Sequence, residues 1–386
     1  MPSFLSRLTG GRAHAPAETK AQTLFSLTEL SGPSWTGRSY ASLAREGMVR
    51  NPVVYRCIRM IAEAAASVPL KVVVDGAVQS EHPVAALLAR PNGQESGREL
   101  MERLHAFLQT AGNAYVQAVS VEGAVKALYG LRPDRVRVVT GPDGWPLGYD
   151  YTAGGRTQRL RQDAEPVSKV LHLMLFHPLD DHDGLSPLEA AQMSLDIHNA
   201  ASRWNKSLLD NAARPSGALI YSAAAGNLTA DQFERLKREL EEGFQGAMNA
   251  GRPMVLEGGL DWKAIGMSPK DMDFIELKHV AAREIALAFG VPPMLLGIPG
   301  DNTYSNYAEA NKALWRQTVM PLVARVAAAL EHWLRPGFGP DFSIQPDDEG
   351  IEALSEDRSA LWKRVTEADF LSDAEKRRML GVSEPK

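Results

Sequence analysis

The period of the hydrophobic positions changes twice along this chain. Over NPVVYRCIRMIAEAAASVPL, Val53, Cys57, Ile61 and Ala65, flanked by Val54 and Ile58, return every three to four residues and draw one apolar helix face. Asn51 suits the N-cap, Pro52 suits the first turn, and Pro69 sets the end. LKVVVDG reads as a strand entering an Asp75–Gly76 turn. HPVAALLARPNG reads as a short helix stopping near Pro91 and Gly93, and ELMERLHAFLQTAG as an amphipathic helix closed by Gly112. From Asn113 to Phe176 the period shortens to two, in AYVQAVS, KALYGL, RVRVVT, LGYDYTA and VLHLML, with turn signals at GPDG (141–144) and Gly154-Gly155. Residues from about 40 to 176 are therefore expected to form an α+β domain, helices first and a mainly antiparallel sheet after.

After residue 186 the helical period returns. Leu188, Ala191, Leu195, Ala201 and Leu208 predict one helix of about 25 residues, nearly 40 Å long, ended by Arg214-Pro215-Ser216-Gly217. GALIYS reads as a strand. LTADQFERLKRELEEGFQG reads as a helix with a Thr229–Gln232 capping box and a Phe233, Leu236, Leu240, Phe244 stripe. RPMVLEGGLDWKAIGM reads as a strand pair around Gly258-Gly259. A helix capped by Ser268, with Pro269 at its first position, runs to Gly290. VPPMLLGIPGDNTYSN is a Pro/Gly loop. A helix from about Tyr304 to Leu334 follows, with a kink expected at Pro321. DFSIQPDD is a further strand, and short helices cover 350–367 and 372–380.

The chain has 386 residues, enough for two or three domains, and a formal net charge of −5, which excludes a generally basic nucleic-acid binder. Its one cysteine, Cys57, lies on an apolar helix face and reads as a small buried hydrophobe. No apolar run reaches membrane-span length, so no membrane partner is expected. The N-terminus lacks a continuous apolar stretch of the secretory kind, and residues 1–30 read as a flexible arm.

The densest chemistry lies in FHPLDDHDGLSPLEAA, which brings together His177, Asp180, Asp181, His182 and Asp183. One reading is a metal-dependent hydrolase using His177, Asp181 and His182. The other is turn chemistry: Asp and Gly tolerate unusual backbone angles, acidic groups favour a helix start, and Ser186 with Glu189 form a capping box. The second is preferred, because no further cluster completes a metal site. H-E-x-x-H, paired cysteines, a P-loop, a G-x-S-x-G elbow and a strand-borne G-x-G-x-x-G are all missing. A strand–helix insert hung between two helices suits a protein repeated around an axis better than an enzyme cleft.

In this order, NPVVYRCIRMIAEAAASVPL, HPVAALLARPN, HPLDDHDGLSPLEAA, NAARPSGALI, FGVPPMLLG and the helix after SNYAEAN resemble the portal proteins of tailed double-stranded DNA bacteriophages, siphovirus type, which gene transfer agents also carry. The resemblance spans about 45–345. It implies a multi-domain α+β portal fold: a wing (31–185), a first stem helix (186–212), a small α/β clip (213–268), a second stem helix (269–290), a tunnel loop (291–306), a long wing helix with a closing strand (307–349) and a short helical crown (350–386). It implies a structural protein without catalytic residues or cofactors. The expected assembly is a homo-oligomeric ring, usually of twelve subunits, at one capsid vertex, put together in the bacterial cytoplasm. Implied partners are the major capsid protein, the terminase large subunit, a head–tail adaptor and the double-stranded DNA in the channel. Asp301, Asn302, Thr303, Tyr304, Ser305 and Asn306 would face DNA. Phe233, Glu234, Lys237, Arg238, Glu241 and Trp262 would serve docking on the clip. Asn51, Ser186, Glu189 and Ser268 are helix caps. A hydrolase and a monomeric helical adaptor remain the competing classes.

Overall fold

The structure is a computed structural model that describes residues 36–37, 39–162, 165–210, 217–221, 229, 231–232, 234–235, 238, 260–264, 274–300 and 304–380. It opens with α1 (Tyr40–Leu43), which widens into a π-helical stretch over Ala44–Val49. Then α2 (Pro52–Ser67) starts under Asn51, whose side chain accepts from the Val53 and Val54 N–H groups. β1 (Leu70–Val74) turns at Asp75 and Gly76, both at positive φ, into β2 (Ala77–Val78). α3 (Pro83–Ala89) and α4 (Gly97–Ala111) follow. α4 begins in a full Ser96–Glu99 capping box, which the hydrophobic pattern had not revealed, and ends at left-handed Gly112.

The strands are antiparallel throughout but do not form one sheet. β3 (Asn113–Val121) pairs with β4 (Ala124–Leu131) and with β8 (Val170–Met174). β5 (Val136–Thr140), β6 (Pro146–Ala153) and β7 (Arg156–Arg161) make a second sheet. β7 was missed in the sequence because RTQRLR buries only Leu160. β1 belongs to neither sheet: it pairs with β11 (Phe342–Pro346) in the register Val72 opposite Ile344. Lys71 reinforces that join with a 2.9 Å ion pair to Asp347.

The expected single helix after Ser186 is two. α5 (Pro187–Ala190) stops at Ala191, and α6 (Gln192–Asp210) resumes. Only half of the expected capping box forms: Ser186 Oγ accepts from the Glu189 N–H at 2.9 Å. β9 (Gly217–Tyr221) pairs with β10 (Leu260–Ala264). The second strand of the pair expected around Gly258-Gly259 is β10, while its first strand and the glycines lie outside the described residues. The Thr229–Gln232 box is present in both directions, at 3.0 and 3.3 Å. α7 (Phe274–Ala288) runs back beside α6, with Ser194 near the start of one helix bonded to Glu284 near the end of the other at 2.6 Å.

The long helix is α8 (Tyr304–Ala313), a π-helical stretch (Leu314–Val319) and α9 (Met320–Phe338). The irregularity expected at Pro321 is thus the wide turn just before it, which relieves a residue that has no N–H to donate one turn back. α10 (Ser355–Thr366) and α11 (Asp373–Leu380) close the described chain.

Two cores result. In one, α4, β3, β8 and α9 bury Leu100, Leu104, Val116, Leu173, Leu330 and Leu334. Trp333 is pinned there by its indole N–H, bonded to the Ser168 carbonyl (3.0 Å) and hydroxyl (2.9 Å). In the other, α2, α5, α6, α7 and the second π stretch bury Ile58, Ile61, Leu188, Leu195, Ile285 and Val319. Cys57 sits inside this second core, as expected, and burial pushes its thiol up to about 12.

Candidate functional site

The cluster that raised the metal question is a turn held by its own backbone. Asp180 Oδ1 accepts from the N–H groups of His182 (2.7 Å) and Asp183 (2.9 Å). These bonds hold its carboxyl below the usual range. His177 Nδ1 accepts from the Leu179 N–H at 3.1 Å. Asn113, at the start of β3, ties the turn down: its Oδ1 accepts from the Gly184 N–H (2.9 Å) and from His172 Nε2–H (2.8 Å). Gly112 and Gly184 touch backbone to backbone, and the Gly112 carbonyl accepts from the Leu175 N–H at 2.8 Å. Among the described residues, no three His, Cys, Asp or Glu side chains are placed to hold a metal ion. The hydrolase reading of His177, Asp181 and His182 is not supported: the turn seats the strand-to-helix connection on α4 and delivers the chain to Ser186.

A second polar centre straps the N-terminal segment to α6. Asn51 Nδ2 donates to His198 Nδ1 (2.9 Å) and to Asn199 Oδ1 (2.9 Å), while Asn199 Nδ2 donates to the Glu46 carbonyl (3.0 Å). With the two cap bonds from Val53 and Val54, every donor and acceptor of the Asn51 side chain is used. Asp196 accepts from the Thr36 N–H at 3.0 Å and from its hydroxyl, and Gln192 donates to the Thr36 carbonyl. His198 is thus a buried neutral acceptor with its proton on Nε2.

Two histidines are held far below their ordinary value. His198 falls to about 4, through burial and then Lys278; His172, stacked on Tyr115 at 4.3 Å, falls to about 4 through burial and then His182. An unfolded histidine binds its proton near pH 6.5, so between about 6.5 and 4 the unfolded chain holds more protons than the folded one. Stability is complete above about pH 6.5 and declines as the pH falls towards 4. Thermal melts from pH 8 to 4.5 should show a flat midpoint down to about 6.5 and a steady fall below it. An unchanged midpoint at pH 5 would count against both assignments.

The segment after α7 is anchored at its base. Gly290, at positive φ, ends the helix, and its carbonyl accepts from Thr318 Oγ1 at 2.6 Å. Arg283 donates to the Pro299 carbonyl. Gly297 takes the left-handed conformation that closes a 3-10 turn over Pro293–Leu296. Asp301, Asn302 and Thr303 lie outside the described residues, and Tyr304, Ser305 and Asn306 are the first residues of α8. Of the docking candidates, Glu234 and Arg238 are exposed and Trp262 stands opposite Leu219 in the β9–β10 pair. Phe233, Lys237, Glu241 and the cap Ser268 lie outside the described residues.

A family model described as phage portal protein matches residues 52–381. The chain is 52% identical to a chain in a solved structure described as the neck of a native GTA particle computed with C12 symmetry, with a TM-score of 0.69, covering 92% of this chain and 96% of that one. It is 44% identical over 335 residues to an uncharacterized protein of Rickettsia bellii, covering 86% of each. It is 26% identical over 353 residues to the portal protein of Enterobacteria phage HK97, covering 88% of this chain and 80% of that one. Portal proteins are structural components. With the family model matched from α2 to α11 and the acidic turn accounted for as a connection, the chain belongs to the phage portal protein family, the head–tail connectors of HK97-like phages and gene transfer agents.

Proposed function

We propose that this chain closes into a twelve-membered ring at one vertex of a phage or transfer-agent particle, with DNA passing through the centre during packaging and ejection. The observation that carries this reading is the likeness, over nearly the whole chain, to a neck subunit computed with C12 symmetry. Uncovered apolar surface supports it. α7 buries Ala281, Ala282, Ile285 and Ala286 on one side yet exposes Ile275 (69%) and Leu287 (79%). Exposed side chains of this size are what an intersubunit contact covers.

In this reading, residues 31–185 with the 307–349 helix and strand are the wing, 186–212 and 269–290 the stem, 213–268 the clip and 350–386 the crown. The clip docks the terminase large subunit and later a head–tail adaptor through Phe233, Glu234, Lys237, Arg238, Glu241 and Trp262. The wing meets the major capsid protein. The ring performs no turnover of its own and takes no cofactor. Asp301–Asn306 line the narrowest part of the channel. The segment carries no Lys or Arg, and sticking to DNA comes from cations that neutralise phosphates.

Thr303→Lys tests that placement, because it would put one cation per subunit around the channel. Rings should still form, while packaged DNA per particle falls at least tenfold at low salt and recovers partly as salt rises. Particles that fill normally at low salt would remove residues 301–306 from the DNA path.

A further inference from the structure

The turn after β8 carries two large apolar side chains that stand exposed among the described residues. Phe176 is 79% and Leu179 91% exposed. They do not hang on a loose loop: the bonds of His177, Asp180, Asn113 and Gly184 described above fix the backbone on both sides. Beside them stand Asp181, exposed, and Asp180, whose bonds to backbone N–H groups keep it ionised. The result is a rigid knob, apolar at its tip and acidic at its flank.

A cleft of about 540 Å³ has the opposite chemistry. It lies between the start of α9 and α10, with Met320, Leu354 and Leu361 as its apolar lining and Arg316, Arg358 and Arg364 around it. Arg358 donates to the Asp348 and Ile351 carbonyls, which holds that wall in place. Asp348 also lines the cleft, so among the described lining residues there are three arginines and one carboxylate. A site of this volume accepts a few side chains rather than a whole element.

Knob and cleft lie on different sides of the same helix. Arg325 Nη1 reaches the Met174 carbonyl, where the chain leaves β8 for the knob, at 3.5 Å. Five residues at about 100° each place Arg325 about 140° around the helix from Met320. One copy therefore does not fill its own cleft. Two different, complementary flanks on one chain make a head-to-tail contact, the kind that closes into rings.

We infer that the knob Phe176–Asp181 of one subunit seats in the Met320–Leu361 cleft of its neighbour, Phe176 and Leu179 on the apolar lining and Asp181 against Arg364. This rests on the ring reading above and adds the residues of one intersubunit contact. The preformed knob loses little conformational freedom on docking.

The test uses the full chain and reads ring formation by native mass spectrometry across a concentration series. Asp181→Arg and Arg364→Glu should each raise the concentration for half-assembly at least tenfold, and the double variant should return it close to that of the parent. A Leu179→Cys, Leu361→Cys chain, oxidised as rings, should give a ladder of covalent oligomers that neither single cysteine gives; Cys57 is buried and does not compete. If the parent forms rings while both reversals assemble as it does and no ladder appears, the knob-in-cleft contact is wrong and the ring stands. If the parent never forms rings, alone or with the capsid protein present, both fall.

Discussion

Replacing Asn51 by leucine is expected to destabilise the chain by about 3 kcal/mol or more. Four hydrogen bonds end on this side chain. Losing the cap to Val53 and Val54 costs about 1 kcal/mol. Losing the two donated bonds leaves His198 Nδ1 and Asn199 Oδ1 buried and unpaired, at about 1–3 kcal/mol each. Urea unfolding followed by circular dichroism gives the value, and a change below about 1 kcal/mol would show that the network is not holding α2 to α6. Asn51→Asp separates the two halves of the effect. The carboxylate still caps α2 but donates to nothing, so the loss at pH 8 should remain. Near pH 5 it should shrink, because a protonated His198 can donate to the new carboxylate.

Gly112→Ala is expected to cost about 3 kcal/mol or more, and to reduce soluble yield. The residue sits at φ +72°, and an added Cβ would fall inside the Gly184 carbonyl, a backbone atom that cannot rotate away. Gly184→Ala meets the Gly112 carbonyl from the other side and should behave alike. Gly76→Ala is the comparison. It has the same sign of φ, at +76°, with nothing within 4 Å of the new Cβ, so only the left-handed backbone term of about 1–2 kcal/mol applies. Equal losses at Gly76 and Gly112 would mean that strain alone acts and that the contact between the β8–α5 connection and the end of α4 is loose. A larger loss at Gly112 measures that contact, and with it the platform on which the knob is built.

What could be read from the sequence divides along physical lines. α2, α3 and α4 were legible because local signals suffice: Asn51-Pro52 and His82-Pro83 at starts, Gly112 at an end, and apolar positions at helical spacing between. The division of the strands into separate sheets was not. Nothing local to LKVVV says that its partner is FSIQP near the other end of the chain, and the alternation in β3 through β8 is the same whether the strands share one sheet or two. β7 failed for a different reason: an edge strand with one inward leucine carries too little period to see. The break at Ala191 and the wide turns over 44–49 and 314–319 are set by packing, as where Gly47 lies against Leu188 and Val54.

The acidic turn shows how composition can mislead. Two histidines and three aspartates in eight positions look like a ligand set, yet the folded chain uses Asp180 and His177 on neighbouring N–H groups. The bridge from Asn51 to His198 joins residues 147 positions apart and has no local signature. The family was legible because its motifs, individually weak, occur in one order over most of the chain. The docking and channel assignments rest on that order, and all of their residues lie in 213–268 and 301–306, where no local pattern marks a docking or channel role.

Whether the chain closes into a ring is read most directly by electron microscopy of the purified protein, with native mass spectrometry on the same sample across a range of concentrations. The expected result is annular particles with a central hole, of twelve 42.1 kDa copies. A population that stays monomeric at every concentration, alone and with the capsid protein present, would contradict it.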